Sequence, residues 1–424
     1  MTTSPAGPNT TAGPNIMDPA LIADPYGGFN RLREQAPVVL GQSADGTPAW
    51  YVTRYEEVRA VLSDRRFANN PGATPGAEAV SNQEKMLEML EIPREFYPYI
   101  SESILDVDGA DHDRLRRLVL RAFTARRINA LRPRVERITS ELLDGMTGVA
   151  DLISEFAYPL PITVICELVG VPEEGRELWS TAGTALTSIA PGSKGAAARA
   201  LVEYTHGLVD RRRSRPADDL ITELIKVRDE GGDRLSDVEL VTMILGLATA
   251  GHETTAHLIG NGALALLSHP DQRELLRRDP GLWPNAVNEL VRWCGPVLIT
   301  QMRYATEDVE VGGTTIKAGE AVQPVVVSAN RDPRAYEDPE RFDLTRQLSE
   351  RGEGHIGFGV GIHYCLGAAL ARQECEVALR ALFDRFPDVA LEAEEQTWAP
   401  TPGMRQLASL PLRLGEPSGS RLDG

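Results

Sequence analysis

The chain has 424 residues, 42% hydrophobic and 25% charged, which supports a large buried core. A formal charge of −17 argues against a general nucleic-acid binder and selects no reaction. Four scattered cysteines (Cys166, Cys294, Cys365 and Cys375) with no CxxC pair argue against a disulfide framework or a zinc pattern and fit a reducing compartment.

Residues 1–16, rich in Pro, Thr, Gly and Asn, are expected to form a disordered tail. No segment reaches about 18 uncharged apolar residues, so neither a signal peptide nor a membrane helix is expected. An amphipathic helix is predicted around Tyr26–Gln35, strands at Pro37–Leu40 and Ala49–Thr53, and a helix near Tyr55–Ser63. Residues 68–104 read as loop, broken by Pro71, Gly72, Pro75 and Gly76, with a short helix from Asn82 to Leu90. From His112 onward the periodicity is mainly helical, at 112–122, 128–146, 151–169, 173–190, 196–213 and 217–228. A long apolar helix follows at 236–267, opened by a Ser236/Glu239 capping box. Shorter helices are expected at 270–278 and 281–294, before Gly295-Pro296 ends the block. Strands are predicted at Leu298–Tyr304, Val309–Val311, Thr314–Ile316 and Val322–Val327, with Gly312-Gly313 as a hairpin turn. A Pro-rich meander spans Asn330–Glu353, and a last helix runs from Leu366 to about Phe386. With no repeat and no clear linker, one mainly α domain with a small β portion is expected over 17–415, followed by a tail at 416–424.

Four motifs carry chemistry. Cys365 lies in Phe358-Gly359-Val360-Gly361-Ile362-His363-Tyr364-Cys365-Leu366-Gly367. The glycines allow tight turns and close approach to a flat ligand, and the start of a helix favours a thiolate. That arrangement suits a sulfur ligand to haem iron, although a lone cysteine is more often a buried apolar residue. Ala250-Gly251-His252-Glu253-Thr254-Thr255 puts polar residues and a glycine inside the long helix. This weakens the helix and suggests a kink beside a ligand, or simply a packing kink. Glu289 and Arg292 are spaced i, i+3, which by itself is a common surface pair; Glu91–Arg94 and Glu173–Arg176 match it. His112, Arg116, Arg303 and His363 are scattered cations, each readable as a solvated charge.

Taken together and in this order, the motifs resemble those of the cytochrome P450 family over about residues 17–415. The resemblance implies a triangular helical prism with a minor β lobe. Haem b would lie between the 236–267 helix and the helix after Cys365, with Cys365 as the axial iron ligand. Ala250, Phe358, Gly359 and Gly367 would touch the haem, and His112, Arg116, Arg303 and His363 would bind its propionates. Glu253 would be the acid and Thr254 the alcohol of a proton relay for O2 activation. Glu289 and Arg292, with the meander residues Arg341 and Phe342, would be structural. Gly109-Ala110 departs from the proline-containing approach to the His112 helix that many relatives carry.

On the long helix Met243, Leu247 and Ala250 share a face with Thr254. By position in the family, Val297, Leu298 and Ile299, the roof residues Met86, Leu87 and Leu90, and Met404 in the C-terminal turn would complete the substrate pocket. This apolar set points to a bulky apolar substrate, such as a macrolide or other polyketide, a terpenoid or a steroid, to be hydroxylated or epoxidised. A ferredoxin and its reductase, drawing on NAD(P)H, would supply electrons to a cytoplasmic monomer that binds neither nucleic acid nor membrane. Arg114, Arg116, Arg117, Arg121, Arg126 and Arg127 would either steer that ferredoxin or be ordinary surface charges. Two alternatives are a peroxide-driven or coupling-type haem-thiolate enzyme and a non-catalytic haem-binding protein. The Glu253–Thr254 pair favours the O2-dependent reading, because O2 chemistry needs protons delivered.

Overall fold

Strands far apart in the sequence share one sheet. The structure is a computed structural model that describes residues 13–74, 87–88, 91–187, 194–227, 232–348 and 354–418. In chain order the strands among these residues are β1 Val38–Gln42, β2 Pro48–Val52, β3 Phe67–Ala68, β4 Val149–Asp151, β5 Arg303–Ala305, β6 Val309–Val311, β7 Thr314–Ile316, β8 Ala321–Pro324, β9 Ala390–Leu391 and β10 Pro411–Arg413. The larger sheet has the order β1-β2-β8-β5-β3. Its one parallel pairing sets Trp50 against Val322, while β5 pairs antiparallel with β8 and β3. The β6–β7 hairpin turns at Gly312 and Gly313, with φ of +55° and +80°, a geometry that glycine adopts freely. Beneath the sheet Val38, Val52, Val58, Leu62, Phe67, Ile316 and Val322 form their own apolar cluster.

The rest is mainly helical and packs around the helix Asp237–Ser268. Its capping box is present: Glu239 N–H donates to Ser236 Oγ at 3.2 Å, and Ser236 N–H to Glu239 Oε2 at 2.8 Å. The helix is buried on most of its circumference, which explains its near-continuous apolar sequence. Small residues admit the neighbouring helices. A Cβ at Gly262 would lie 2.9 Å from Leu379 Cδ1 and 3.3 Å from Leu290 Cδ1. Leu379 belongs to the helix Ala368–Arg385 and Leu290 to Trp283–Cys294. No described helix is long and apolar enough to cross a membrane.

Several expected elements differ. The tail is already paired at its end: Gln42 N–H donates to Pro14 O at 2.8 Å, and buried Ile16 N–H to Tyr51 Oη at 3.1 Å. At the other end Ser418 bonds the Arg385 carbonyl at 2.8 Å, inside the expected C-terminal tail. The 128–146 stretch divides into Ala125–Ala130 and Arg132–Gly145, since Pro133 lacks an N–H and belongs in a first turn. The 151–169 stretch starts as β4, passes through a π-helical turn at Ile153–Ala157, and becomes α-helical only at Pro159. The Asp151 carboxylate causes this, accepting from Ile153 N at 3.3 Å and Leu410 N at 2.6 Å and tying the entry to β10. Of the strand expected at Leu298–Tyr304 only its end is one, in β5, and Val326–Ala329 is a helical turn. Most of the expected Asn82–Leu90 helix and residues 188–190 lie outside the described residues.

Glu289 and Arg292 are fully buried and form a two-pronged ion pair at 2.6 and 2.7 Å. Arg292 also donates to the carbonyls of Asn330 and Pro339 at 2.9 Å each and of Arg341 at 3.2 Å. Glu289 in turn accepts from Asp343 N at 3.1 Å and Arg346 Nε at 3.3 Å. The meander is thus wrapped around one ion pair. Arg341 contributes its carbonyl, and the second guanidinium is that of Arg346. Asn330 extends the lock by accepting from Ile356 N at 2.9 Å, at the start of the cysteine loop.

Candidate active site

Between the long helix and the cysteine loop lies a cavity partly open to solvent. One wall is a helical face: Met243, Leu247, Ala250, Thr254 and Leu258, with Gly246 and Gly251 between them. The opposite wall is the loop from Gly357 to Gly367 and the first turn of the helix Ala368–Arg385.

The loop owes its shape to backbone bonds. Gly359 N–H donates to Ile356 O at 3.0 Å, and Cys365 N–H to Phe358 O at 3.0 Å. Gly359 and Gly361 have φ of +74° and +79°, and a Cβ at Gly361 would sit 2.6 Å from Leu62 O. A non-glycine residue there faces both a disfavoured backbone conformation and a clash. The folded loop leaves Cys365 exposed and lining the cavity. The other three cysteines are buried. Burial pushes Cys166 and Cys294 up to about 12 and raises Cys375 well above an ordinary thiol, so all three stay protonated. Arg116, on the helix Gly109–Ala122, donates to Tyr364 O at 2.8 Å.

A second group sits at the cavity's edge. The rings of His112 and His363 lie 4.3 Å apart. Both His112 ring nitrogens, His363 Nδ1 and Arg303 Nε are buried without a hydrogen-bond partner. The Asp113 carboxylate lies 3.6 Å from His112 Nδ1, and His363 Nε2 lies 3.3 Å from Asp108. Burial, with the neighbouring His363 and Arg116 charges, lowers His112 to about 4, so it is neutral near pH 7. Burial lowers Arg303 to about 10, so it keeps its charge. Each buried polar group without a partner costs about 1–3 kcal/mol, so this edge is arranged for an anionic ligand. A flat macrocycle with carboxylates at one rim and a metal within reach of a thiol matches the donor set. The residues therefore fit haem: Cys365 for the iron, and His112, Arg116, Arg303 and His363 for the propionates.

Across the cavity the long helix runs unbroken through Ala250–Thr255. The Thr254 hydroxyl donates to Ala250 O at 2.6 Å, which leaves its lone pairs for a donor in the cavity. Glu253 is buried and does not line the cavity; its charge acts on Tyr158 on the far side of the helix.

Of the expected haem contacts, Ala250, Phe358, Gly359 and Gly367 all line this cavity. Of the expected pocket residues, Met243, Leu247 and Val297 line it and four others do not. Leu87 is buried in the main core with Ile92 and Phe96. Leu298 packs instead in a separate apolar cluster with Tyr51 and Val327. Ile299 packs against Gly403, whose Cβ would be 3.0 Å from it. Met404 bridges Val297 through its backbone, while its sulfur accepts from Gln406 at 3.6 Å. Met86 and Leu90 lie outside the described residues. Sequence reasoning missed Asn69, Ile104, Leu105, Ile165 and Thr300, which also line the cavity. Ile104-Leu105, an apolar pair just ahead of the His112 helix, was the one readable signal.

Comparison with known proteins gives a consistent result. The family model described as "Cytochrome P450" matches residues 282–413. The 6-deoxyerythronolide B hydroxylase of Saccharopolyspora erythraea is 43% identical over 416 residues, covering 95% of this chain and 99% of the relative. The cytochrome P450 monooxygenase PikC of Streptomyces venezuelae is 40% identical over 433 residues, covering 97% and 98%. Among solved structures, the bacillaene polyketide synthase cytochrome P450 PksS of Bacillus subtilis superposes with a TM-score of 0.85 at 36% identity, covering 94% of this chain and 99% of that one.

Proposed function

The chain belongs to the cytochrome P450 family, and we propose that it inserts one oxygen atom from O2 into a bulky apolar secondary metabolite of the macrolide or polyketide class. It is a monooxygenase that uses haem and O2, takes electrons from a redox partner and acts on a small molecule. The observation that carries the proposal is Cys365 facing Thr254 across one cavity whose edge holds unmatched donors and whose helical wall is apolar. Haem b, when bound, supplies the iron at which O2 is reduced, and a thiolate ligand favours O–O cleavage.

The chain's own residues do the rest. The Cys365 loop fixes the sulfur, and His112, Arg116, Arg303 and His363 orient the ligand's carboxylates. Thr254 accepts a hydrogen bond on the cavity side while its own O–H is donated to Ala250 O. Glu253 passes protons to that side. Met243, Leu247, Val297, Ile104 and Leu105 exclude water and hold the substrate's apolar body. The substrate class rests on this lining and on relatives that act on such molecules, with hydroxylation and epoxidation both within the chemistry.

Electrons reach the cysteine side from a ferredoxin reduced by an NAD(P)H-dependent reductase. Arg117, Arg121 and Arg126 are exposed on that side in an otherwise acidic protein, with Leu120 46% exposed among them. Arg114 and Arg127 are paired with Asp233 at 3.2 Å and Asp218 at 3.4 Å. The enzyme is a cytoplasmic monomer, built as one domain.

Reduction under CO tests the ligand. The wild type is expected to give the strongly red-shifted Soret band of a thiolate-ligated complex, and Cys365→Ala to lose it. Survival of that band in the variant defeats the assignment. A screen of macrolides, other polyketides, terpenoids and steroids by haem spin-state shift tests the substrate class, and product formation with ferredoxin or with peroxide alone separates the two oxidant sources.

A further inference from the structure

The face of the long helix turned away from the cavity carries a polar cluster that the reading above leaves unused. His252, Glu253 and His257 are buried there, 2%, 7% and 2% exposed. Tyr158 stands where the π-turn Ile153–Ala157 meets the helix Pro159–Val169. Its ring lies between the two imidazoles, edge-on to both, with centroids 5.1 Å from His252 and 5.3 Å from His257. Its hydroxyl is 3.0 Å from His257 Nε2. Tyr158 is only partly covered and so borders solvent.

The hydrogen positions follow from the partners. Burial lowers both histidines to about 4, so each is neutral near pH 7 and carries one N–H. His257 Nδ1 is buried with no partner, whereas His269, just past the same helix, turns its Nδ1 onto the Ala265 carbonyl at 2.8 Å. A buried N–H without an acceptor is rarer than a bare acceptor. The His257 proton therefore sits on Nε2 and is donated to the Tyr158 oxygen. The Tyr158 O–H is then free of His257. Burial, and next the charge of Glu253, raise the Tyr158 pKa and keep that proton on the oxygen. Glu253 lies one turn before His257, so carboxylate and imidazole share a face of the helix.

We propose that Tyr158, oriented by His257, is the group through which Glu253 regains its proton from solvent. This inference rests on the proton-relay reading of Glu253 and Thr254. Glu253 releases a proton towards the cavity side. In one concerted step the Tyr158 O–H proton passes to the Glu253 carboxylate while a solvent hydronium at the open edge returns a proton to the same oxygen and leaves as water. No charge accumulates on the ring, and His257 holds the oxygen in place throughout. Tyr158 and His257 are positioning residues: neither lines the cavity.

The test uses haem-loaded protein with a plant-type ferredoxin and its reductase, following O2 uptake in H2O and D2O. Tyr158→Phe keeps the ring and removes the hydroxyl. It is expected to slow uptake by up to about 100-fold, the low end of what a positioned proton donor supplies, and to enlarge the solvent isotope effect. His257→Leu is expected to follow it, while His257→Gln, which retains an N–H donor, keeps most of the rate. A second readout needs no turnover: the infrared carboxyl band that Glu253→Gln removes should shift in Tyr158→Phe. If Glu253→Gln slows uptake while Tyr158→Phe leaves rate, isotope effect and band unchanged, the inference is overturned and the relay stands. If Glu253→Gln changes nothing, the relay falls and this inference with it. Equal loss in His257→Gln and His257→Leu overturns the orienting role.

Discussion

Two buried groups of basic side chains in this protein have opposite states of satisfaction. Around Glu289 and Arg292, each nitrogen of the Arg292 guanidinium donates to a carboxylate or a carbonyl. Around His112, Arg303 and His363, buried nitrogens are left without partners. The residue types and the burial are similar, so neither marks function. What separates them is completeness: a saturated cluster closes a fold, and an unsaturated one awaits an anion. The contrast also explains why Arg292 holds the meander while Arg303 belongs to the site.

The largest break in this contrast comes at the lock. Arg292→Ala leaves Glu289 buried with only Arg346 as a cationic partner, and removing one side of a buried pair costs about 3–5 kcal/mol. Denaturant unfolding checks this, and a variant as stable as wild type would show that the lock does not govern the fold. At the site edge, Arg303→Met should leave the haem-free chain as stable or more so, because a buried N–H without a partner is removed. Haem affinity should fall about 10- to 100-fold, the value of one charge-assisted hydrogen bond. Haem transfer to apomyoglobin measures it. Loss of haem-free stability in Arg303→Met would erase the difference between the two clusters.

A smaller effect is expected at Gly361. Gly361→Ala forces a positive φ on a residue with a Cβ, at about 1–2 kcal/mol, and pushes it into the Leu62 carbonyl. It should broaden the Soret band of the CO complex more than it changes overall unfolding. Acid is the mildest probe. His252 and His257 are lowered from 6.5 to about 4, so between these values the unfolded chain takes up protons that the folded chain refuses. Stability is therefore full above about pH 6.5 and declines as pH falls towards 4. His257→Gln should flatten part of that decline in a pH series of unfolding curves.

Much of this was legible wherever the signal is local. The helix at Tyr55–Ser63 and the capping box at Ser236 depend on neighbours within a turn, and both are where the residues suggested. The glycines of the cysteine loop are likewise local, since backbone geometry demands them. The Glu289–Arg292 spacing could not be read in that way. Glu91–Arg94 has the same spacing, yet Arg94 is 81% exposed and pairs with Glu88 instead. Arg176 pairs with Glu167 rather than Glu173. Burial, decided by the meander some fifty residues away, makes the difference. Leu298 and Ile299 failed for a related reason: which side of an extended segment faces the cavity depends on its partners, Val327 and Gly403. The Tyr158 cluster joins residues about a hundred positions apart, through a π-turn that no apolar period announces.

The close approach of Gly361 to Leu62, and the pairing of Trp50 with Val322, bear on how the protein is made. The cysteine loop is seated on a helix synthesised about three hundred residues earlier, and the sheet beside it pairs β2 with the much later β8. An emerging chain can form single helices, but the cavity needs residues as far apart as Leu62 and Glu374. Cofactor capture therefore waits until the wall around Cys365 has been made, and the nascent N-terminal half must remain soluble while its sheet still lacks two of its five strands.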